Sequence, residues 1–179
     1  MDKLRNVIPA VRQMKDFEKA LDTEYEWVIL LTTRLAQLKN LVTYAKRKNK
    51  QVIVHVDLVQ GLAADEYGVE FIAREIQPDG VISTRGTVIE HAKRHKLLAI
   101  QRLFLLDTLS LDSNVKLTGR SKADYIEVLP GMMPKVIKEI KRQTDIPIIA
   151  GGLITSHAEI QQAIEAGAIA VSTSSTELW

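Results

Sequence analysis

The chain has 179 residues, 46% hydrophobic and 26% charged, with a formal net charge of +2 and no cysteine. That length supports a sizeable core in a single domain, 1–179, and the absence of thiols excludes disulfides, thiolate catalysis and thiolate metal sites. No apolar run approaches the roughly 20 residues of a membrane span, the N-terminal MDKLRNVIPAV is no secretory leader, and the expected location is cytoplasmic; a charge of +2 does not by itself imply a nucleic-acid partner.

In chain order, residues 6–11 (NVIPAV) read as a strand and 14–21 as a helix. The apolar run 25–31 is a second strand. Thr32 or Thr33 can N-cap the next helix, which runs to about Lys48 with Leu35, Leu38, Leu41, Val42 and Ala45 on one face. Residues 51–57 (QVIVHVD) are the third strand, and 65–76 are helical with Phe71 and Ile72 turned inward. Pro78-Asp79-Gly80 marks a turn into the strand 81–83. A helix over 87–95 leads to a strand over 97–105, and another helix falls within 107–121. Then come the strand 124–129, a helix from Pro134 to about Gln143, the strand 147–150, a helix over 156–165 and the strand 169–173.

Eight strands alternate with helices, at about 22 residues per unit, near the minimum for a strand, a helix and two tight loops. Strict alternation predicts a parallel sheet, and eight units close into a compact (β/α)8 TIM-barrel-like fold. A doubly wound open sheet is disfavoured, because Pro9-Ala10-Val11 supplies no glycine-rich turn after the first strand.

Ligands of such barrels sit at the C-terminal ends of the strands. Those ends carry Pro9 and Arg12, Thr32 and Thr33, His55 and Asp57, Ser83, Thr84 and Arg85, Gln101 and Arg102, and Glu127, then Gly151-Gly152 and Ser172-Thr173-Ser174-Ser175. The last two segments follow strands seven and eight, where this fold often binds phosphate. Glycine lets the backbone approach an anion closely. The N–H groups of Gly152, Ser174 and Ser175, and the dipole of a short final helix from about Ser175, would face its oxygens. The plainer reading is a tight turn and a helix cap.

His55 and Asp57, two apart, would share one strand face. They could be half of a metal site with Glu127, a hydrogen-bonded interior pair, or ligand contacts; no second strand-end histidine completes a metal set, so no metal is expected. Asp57 and Glu127 could also act as acid and base in a small phosphosugar or phosphoglycerol enzyme. Schiff-base chemistry is disfavoured because no lysine ends a strand. Basic clusters containing Lys46, Arg47, Lys48, Lys93 and Arg94 fall at helix C-termini, on the opposite face. They complement helix dipoles, or present a basic face to RNA.

The segments VHVDLVQGLAADEYG (54–68), GVISTRG (80–86), IQRLFLLDT (100–108), IEVLPG (126–131), IPIIAGGLI (146–154) and AVSTSSTELW (170–179) closely resemble the glycerol uptake operon antiterminator regulatory proteins of Gram-positive bacteria. The resemblance runs from about Ile8 to Trp179. It implies a TIM-barrel-like regulator, not an enzyme. Such a regulator senses glycerol 3-phosphate as effector, uses no cofactor, and binds leader mRNA of glycerol genes to prevent premature termination. Carried over, Gly151, Gly152 and Ser172 to Ser175 would hold the phosphate. The glycerol hydroxyls would face Asp57, Glu127, Arg85 or Arg102, with His55 beside them. The sequence leaves the oligomeric state open, and a homo-oligomer is compatible with it.

Overall fold

The computed structural model describes residues 4–105 and 121–179. Eight strands form a closed barrel: β1 (Asn6–Val11), β2 (Trp27–Leu30), β3 (Gln51–His55), β4 (Gly80–Ser83), β5 (Leu98–Phe104), β6 (Tyr125–Leu129), β7 (Ile148–Gly151) and β8 (Ala170–Thr173). Every neighbouring pair is parallel, and β1 closes the ring by pairing with both β2 and β8. The helices between them are α1 (Phe17–Leu21), α2 (Leu35–Arg47), α3 (Glu66–Phe71), α4 (Gly86–Arg94), α5 (Pro134–Gln143) and α6 (His157–Glu165). The further helix expected within 107–121 lies, but for Ser121, outside the described residues.

Period-two alternation divides the strand side chains between two cores. Ile8, Ile29, Ile53, Ile82, Ile100 and Ile149 point inward and fill the barrel. Their neighbours Val28, Val52, Val54 and Val81 pack outward against α2, α3 and α4, while Ile126, Val128, Ile148 and Val171 pack outward near α5 and α6. The same parity carries His55, Arg102, Glu127, Gly151 and Ser172 inward one layer above Ile53, Ile100, Tyr125, Ile149 and Ala170. Polar residues at strand ends therefore become the floor of the barrel mouth.

Three local details depart from the sequence expectation. The helix after β2 is capped by Arg34 with no side-chain bond, not by Thr32 or Thr33. Residues 33–34 instead pair in parallel with 59–60 as a small separate ladder. Strand β3 stops at His55, and Val56–Leu58 turn as a 3-10 helix, so Asp57 leaves the strand face it was expected to share. The segment after α3 winds as a π-helix over Ile72–Ile76. Ile72 and Ile76 are buried, as is Val69 before them, while Phe71 stands 41% exposed, contrary to its expected inward position.

The opposite end of the barrel is tied by a repeated device. Helices α2 and α4 end in left-handed residues, Asn49 and Lys96. In each, a following N–H reaches back five residues, Lys50 to Ala45 and Leu97 to Ala92, the usual closure of a helix C-terminus. The last-turn lysine of each then pairs with an aspartate just before another strand: Lys46 with Asp79 at 3.2 Å and Lys93 with Asp124 at 2.5 Å. Those aspartates also accept the N–H groups of Val52 and Ala99, at 2.9 Å each.

Candidate functional site

A cavity of about 1020 Å³ opens at the C-terminal ends of the strands. Its wall includes Gly152, Ser172 to Ser175, Arg12 and Arg102, with an apolar side of Leu31, Leu58, Phe104, Leu129 and Ile154. Among the described residues lining it, two are cationic and none is acidic. The loop after β7 that carries Gly152 is anchored by a capping box at α6. The Ser156 hydroxyl accepts the Glu159 N–H, and the Glu159 carboxylate accepts the N–H groups of Thr155 and Ser156.

Gly152 has φ +76, in the region that favours glycine, and Leu153 follows at φ +61. Gly151 meets a steric need. A Cβ there would lie 2.6 Å from Ser172 Oγ and 2.8 Å from Glu127 Oε1. Both atoms belong to one buried network. Arg102 Nε donates to Glu127 Oε2 at 2.5 Å, and Ser172 Oγ donates to Glu127 Oε1 at 2.5 Å. Glu127 is 1% exposed.

The hydroxyl-rich end of β8 is less open to an anion than its sequence suggests. The Ser172 hydroxyl donates to Glu127, the Thr173 hydroxyl donates to the Ile154 carbonyl at 2.9 Å, and the Ser175 N–H donates to Thr173 Oγ at 3.1 Å. The expected final helix is a three-residue 3-10 turn over Thr176–Leu178, which supplies no macrodipole. The Trp179 indole N–H holds the Thr173 carbonyl at 2.9 Å, which pins the end of β8.

His55 lies in the interior layer, 2% exposed, and its Nδ1 has no hydrogen-bond partner among the described residues. Burial above all, and then the Arg102 guanidinium, push its pKa down to about 4, against the opposing pull of Asp57 and Glu127. The imidazole is therefore neutral at pH 7. Asp57 lies away from the cavity. It accepts the Ser83 hydroxyl at 2.6 Å and the N–H and hydroxyl of Thr84 at 2.7 and 2.8 Å. Burial alone would raise its pKa, but these donors, with His55, leave it lowered.

The His55 value has a measurable consequence. Between pH 6.5 and 4 the unfolded chain binds a proton that the folded chain refuses. Stability should thus fall by up to about 3 kcal/mol as pH drops across that window. Asp57 works below it, since its bonds stabilise the fold above the ordinary carboxylate range and are lost as pH falls through its lowered folded value. Thermal midpoints followed against pH should lose most of the slope between pH 6.5 and 4 in His55→Asn. An unchanged slope would show that His55 is not its source.

The structure brings together Gly151, Gly152, Ser172 to Ser175, Arg102 and Glu127, with His55 alongside in the same interior layer. Arg85 is exposed and reaches outward to the Ala64 carbonyl at 2.9 Å, so it does not join them. Asp57 and Glu127 both lie within electrostatic reach of His55, but neither lines the cavity, and each of their four oxygens already accepts a hydrogen bond. Among the described residues no group of three His, Cys, Asp or Glu is placed to hold a metal, and no helix is long and apolar enough to cross a membrane. Of the basic cluster, Lys46 and Lys93 hold the aspartates described above and Lys48 pairs with Asp22 at 3.6 Å. Arg47 and Arg94 are exposed, with no partner among the described residues. Arg12, at the end of β1, lines the cavity. Its signal was only its position after a strand.

Residues 7–179 match the family model described as glycerol-3-phosphate responsive antiterminator. The uncharacterized protein YgcP of Escherichia coli (strain K12) is 34% identical over 173 residues, covering 97% of this chain and 91% of that protein. The crystal structure of the glycerol uptake operon antiterminator regulatory protein from Listeria monocytogenes str. 4b F2365 superposes with a TM-score of 0.95 at 46% identity, covering 97% of this chain and 94% of that one. A glycerol uptake operon antiterminator-related protein from Thermotoga maritima MSB8 gives a TM-score of 0.86 at 28% identity, covering 98% of each chain.

Proposed function

Since this chain belongs to the family of glycerol-3-phosphate responsive antiterminators, we propose that it holds glycerol 3-phosphate in the barrel mouth and, so loaded, binds the leader mRNA of glycerol genes. One observation carries the placement of the effector. A single cavity gathers the left-handed Gly152 turn, the Ser172–Ser175 segment and two arginines, and no carboxylate is found among its described lining residues. That combination suits a phosphate ester, because buried anions need paired charge and donors.

The regulatory step follows from linkage. The effector must bind the RNA-competent state more tightly than the other state, and RNA must then tighten effector binding by the same factor. For RNA contacts, among the five basic residues named above on the face opposite the mouth, Arg47 and Arg94 are the uncommitted cations, while Lys46, Lys48 and Lys93 already pair with carboxylates. An acid–base enzyme built on Asp57 and Glu127 draws no support from their geometry, since neither residue lines the cavity and every oxygen of both carboxylates already accepts an internal hydrogen bond.

Calorimetry tests the effector site. Glycerol 3-phosphate should bind measurably while glycerol does not, and Gly152→Val should abolish the difference. The valine would be forced into φ +76, with its Cβ 3.1 Å from Leu129 Cδ2. Equal binding of glycerol and glycerol 3-phosphate would overturn the proposal.

A further inference from the structure

The phosphate end of the site depends on charge more than on the hydroxyl-rich segment that marks it in the sequence. Among the donors of that segment, the Ser172 and Thr173 hydroxyls and the Ser175 N–H are committed inside the protein. The Gly152 and Ser174 N–H groups and the Ser174 and Ser175 hydroxyls remain, with no acceptor among the described residues. Four neutral donors can orient a phosphate but cannot balance a charge of about −2.

Arg102 is held in a way that prepares it for an anion. Its Nε donates to Glu127 Oε2, and its side chain is 10% exposed. Its two terminal nitrogens have no partner among the described residues, and the residue lines the cavity. A guanidinium anchored through Nε keeps those nitrogens free for a second anion. Glu127 is fully engaged, with one oxygen on Arg102 and the other on Ser172, and it lies beneath the cavity wall. Its negative charge also offsets that of Arg102. The net positive charge must therefore come from elsewhere, and the other cation lining the cavity is Arg12. The residue is exposed, at the end of β1, and β1 runs beside β8 with Pro9 in register with Thr173.

We infer that Arg102 and Arg12 form a two-arginine clamp on the effector's phosphate, and that Glu127 is a positioning residue that aims Arg102 and makes no contact with the ligand. This rests on the effector site proposed above and assigns its parts. It moves Arg102 from the hydroxyl end to the phosphate end, removes Glu127 from the ligand contacts, and adds Arg12.

The test is calorimetry with two probes, glycerol 3-phosphate and methyl phosphate, on the wild type, Arg12→Gln, Arg102→Met, Glu127→Gln and the Arg102→Met/Glu127→Gln double variant. Loss of one charged hydrogen-bonding group should weaken binding by roughly 10-fold to 100-fold. Arg102→Met is expected toward the upper end, and Arg12→Gln, more exposed to solvent, toward the lower. Glu127→Gln removes a negative charge and loosens the aim of Arg102, so it should change the affinity for both probes by the same factor, because both carry the phosphate, and it should leave their ratio unchanged in the Arg102→Met background as well. A selective loss of glycerol 3-phosphate over methyl phosphate in Glu127→Gln would overturn the positioning role, because the carboxylate would then be reading the glycerol. Arg12 makes no described internal bond, so Arg12→Gln tests the clamp even if Arg102→Met fails to fold. Unchanged affinity in Arg12→Gln, or in a folded Arg102→Met, would overturn the clamp. Wild-type protein that binds neither probe would instead reject the effector site itself.

Discussion

Replacing Glu127 with alanine is expected to lower the thermal midpoint by about 6–12 °C. The carboxylate is 1% exposed and holds the Arg102 guanidinium and the Ser172 hydroxyl at once. Removing one partner of a buried ion pair leaves the other charge uncompensated, at a cost of roughly 3–5 kcal/mol. Arg102 borders the water-accessible cavity, which brings the cost toward the lower end. For a chain of this size each kcal/mol moves the midpoint by about 2–4 °C. Glu127→Gln keeps an acceptor for Arg102 and a group able to bond Ser172, so its loss should be less than half as large. Differential scanning calorimetry of the two variants measures this, and equal midpoints for alanine and wild type would show that the network does not stabilise the barrel.

The second large effect is expected at Gly151. In Gly151→Ala the new methyl group would occupy the space of the Ser172–Glu127 bond, 2.6 Å from one partner and 2.8 Å from the other. Neither can withdraw without breaking its hydrogen bond. Strand β7 cannot retreat either, because the Gly131 N–H is fixed on the Gly151 carbonyl at 2.6 Å. Overpacking of this kind costs about 1–3 kcal/mol. The displaced Glu127 would also re-aim Arg102, so affinity for glycerol 3-phosphate should fall by at least about 10-fold. Denaturant unfolding and calorimetry on the same variant separate the two losses. A Gly151→Ala protein that binds as well as wild type would mean that the network does not set the ligand geometry.

These two residues show how far the sequence reads on its own. Ile148–Gly151 and Ala170–Thr173 announce themselves as buried parallel strands through unbroken apolar runs, and their glycine and hydroxyl ends mark the mouth. The barrel follows from the same local rule applied along the chain. Non-local partners are what the sequence hides. Nothing near Ser172 in sequence says that its hydroxyl belongs to a glutamate 45 residues away. Likewise, Ser83 and Thr84, 26 and 27 residues on, hold Asp57 beyond the strand that ends at His55. Lys46 and Lys93 read as surface charge until the aspartates they hold are seen. Phe71 stands outside because the buried stripe runs through Val69, Ile72 and Ile76, at ordinary helical spacing, and an apolar residue adjacent to that stripe cannot be told from a member of it by composition alone.

The central claim is that a phosphorylated effector in the barrel mouth controls RNA binding. Filter binding of a glycerol-gene leader RNA tests it most directly, with glycerol 3-phosphate, with glycerol and with neither, for wild type and Gly152→Val. Salt must be held fixed, because backbone contacts make affinity strongly salt-dependent. The effector should tighten RNA binding by roughly 5-fold to 150-fold in the wild type, glycerol should have no effect, and Gly152→Val should bind RNA equally weakly in all three conditions. Wild-type RNA affinity that is the same with and without glycerol 3-phosphate would contradict the account.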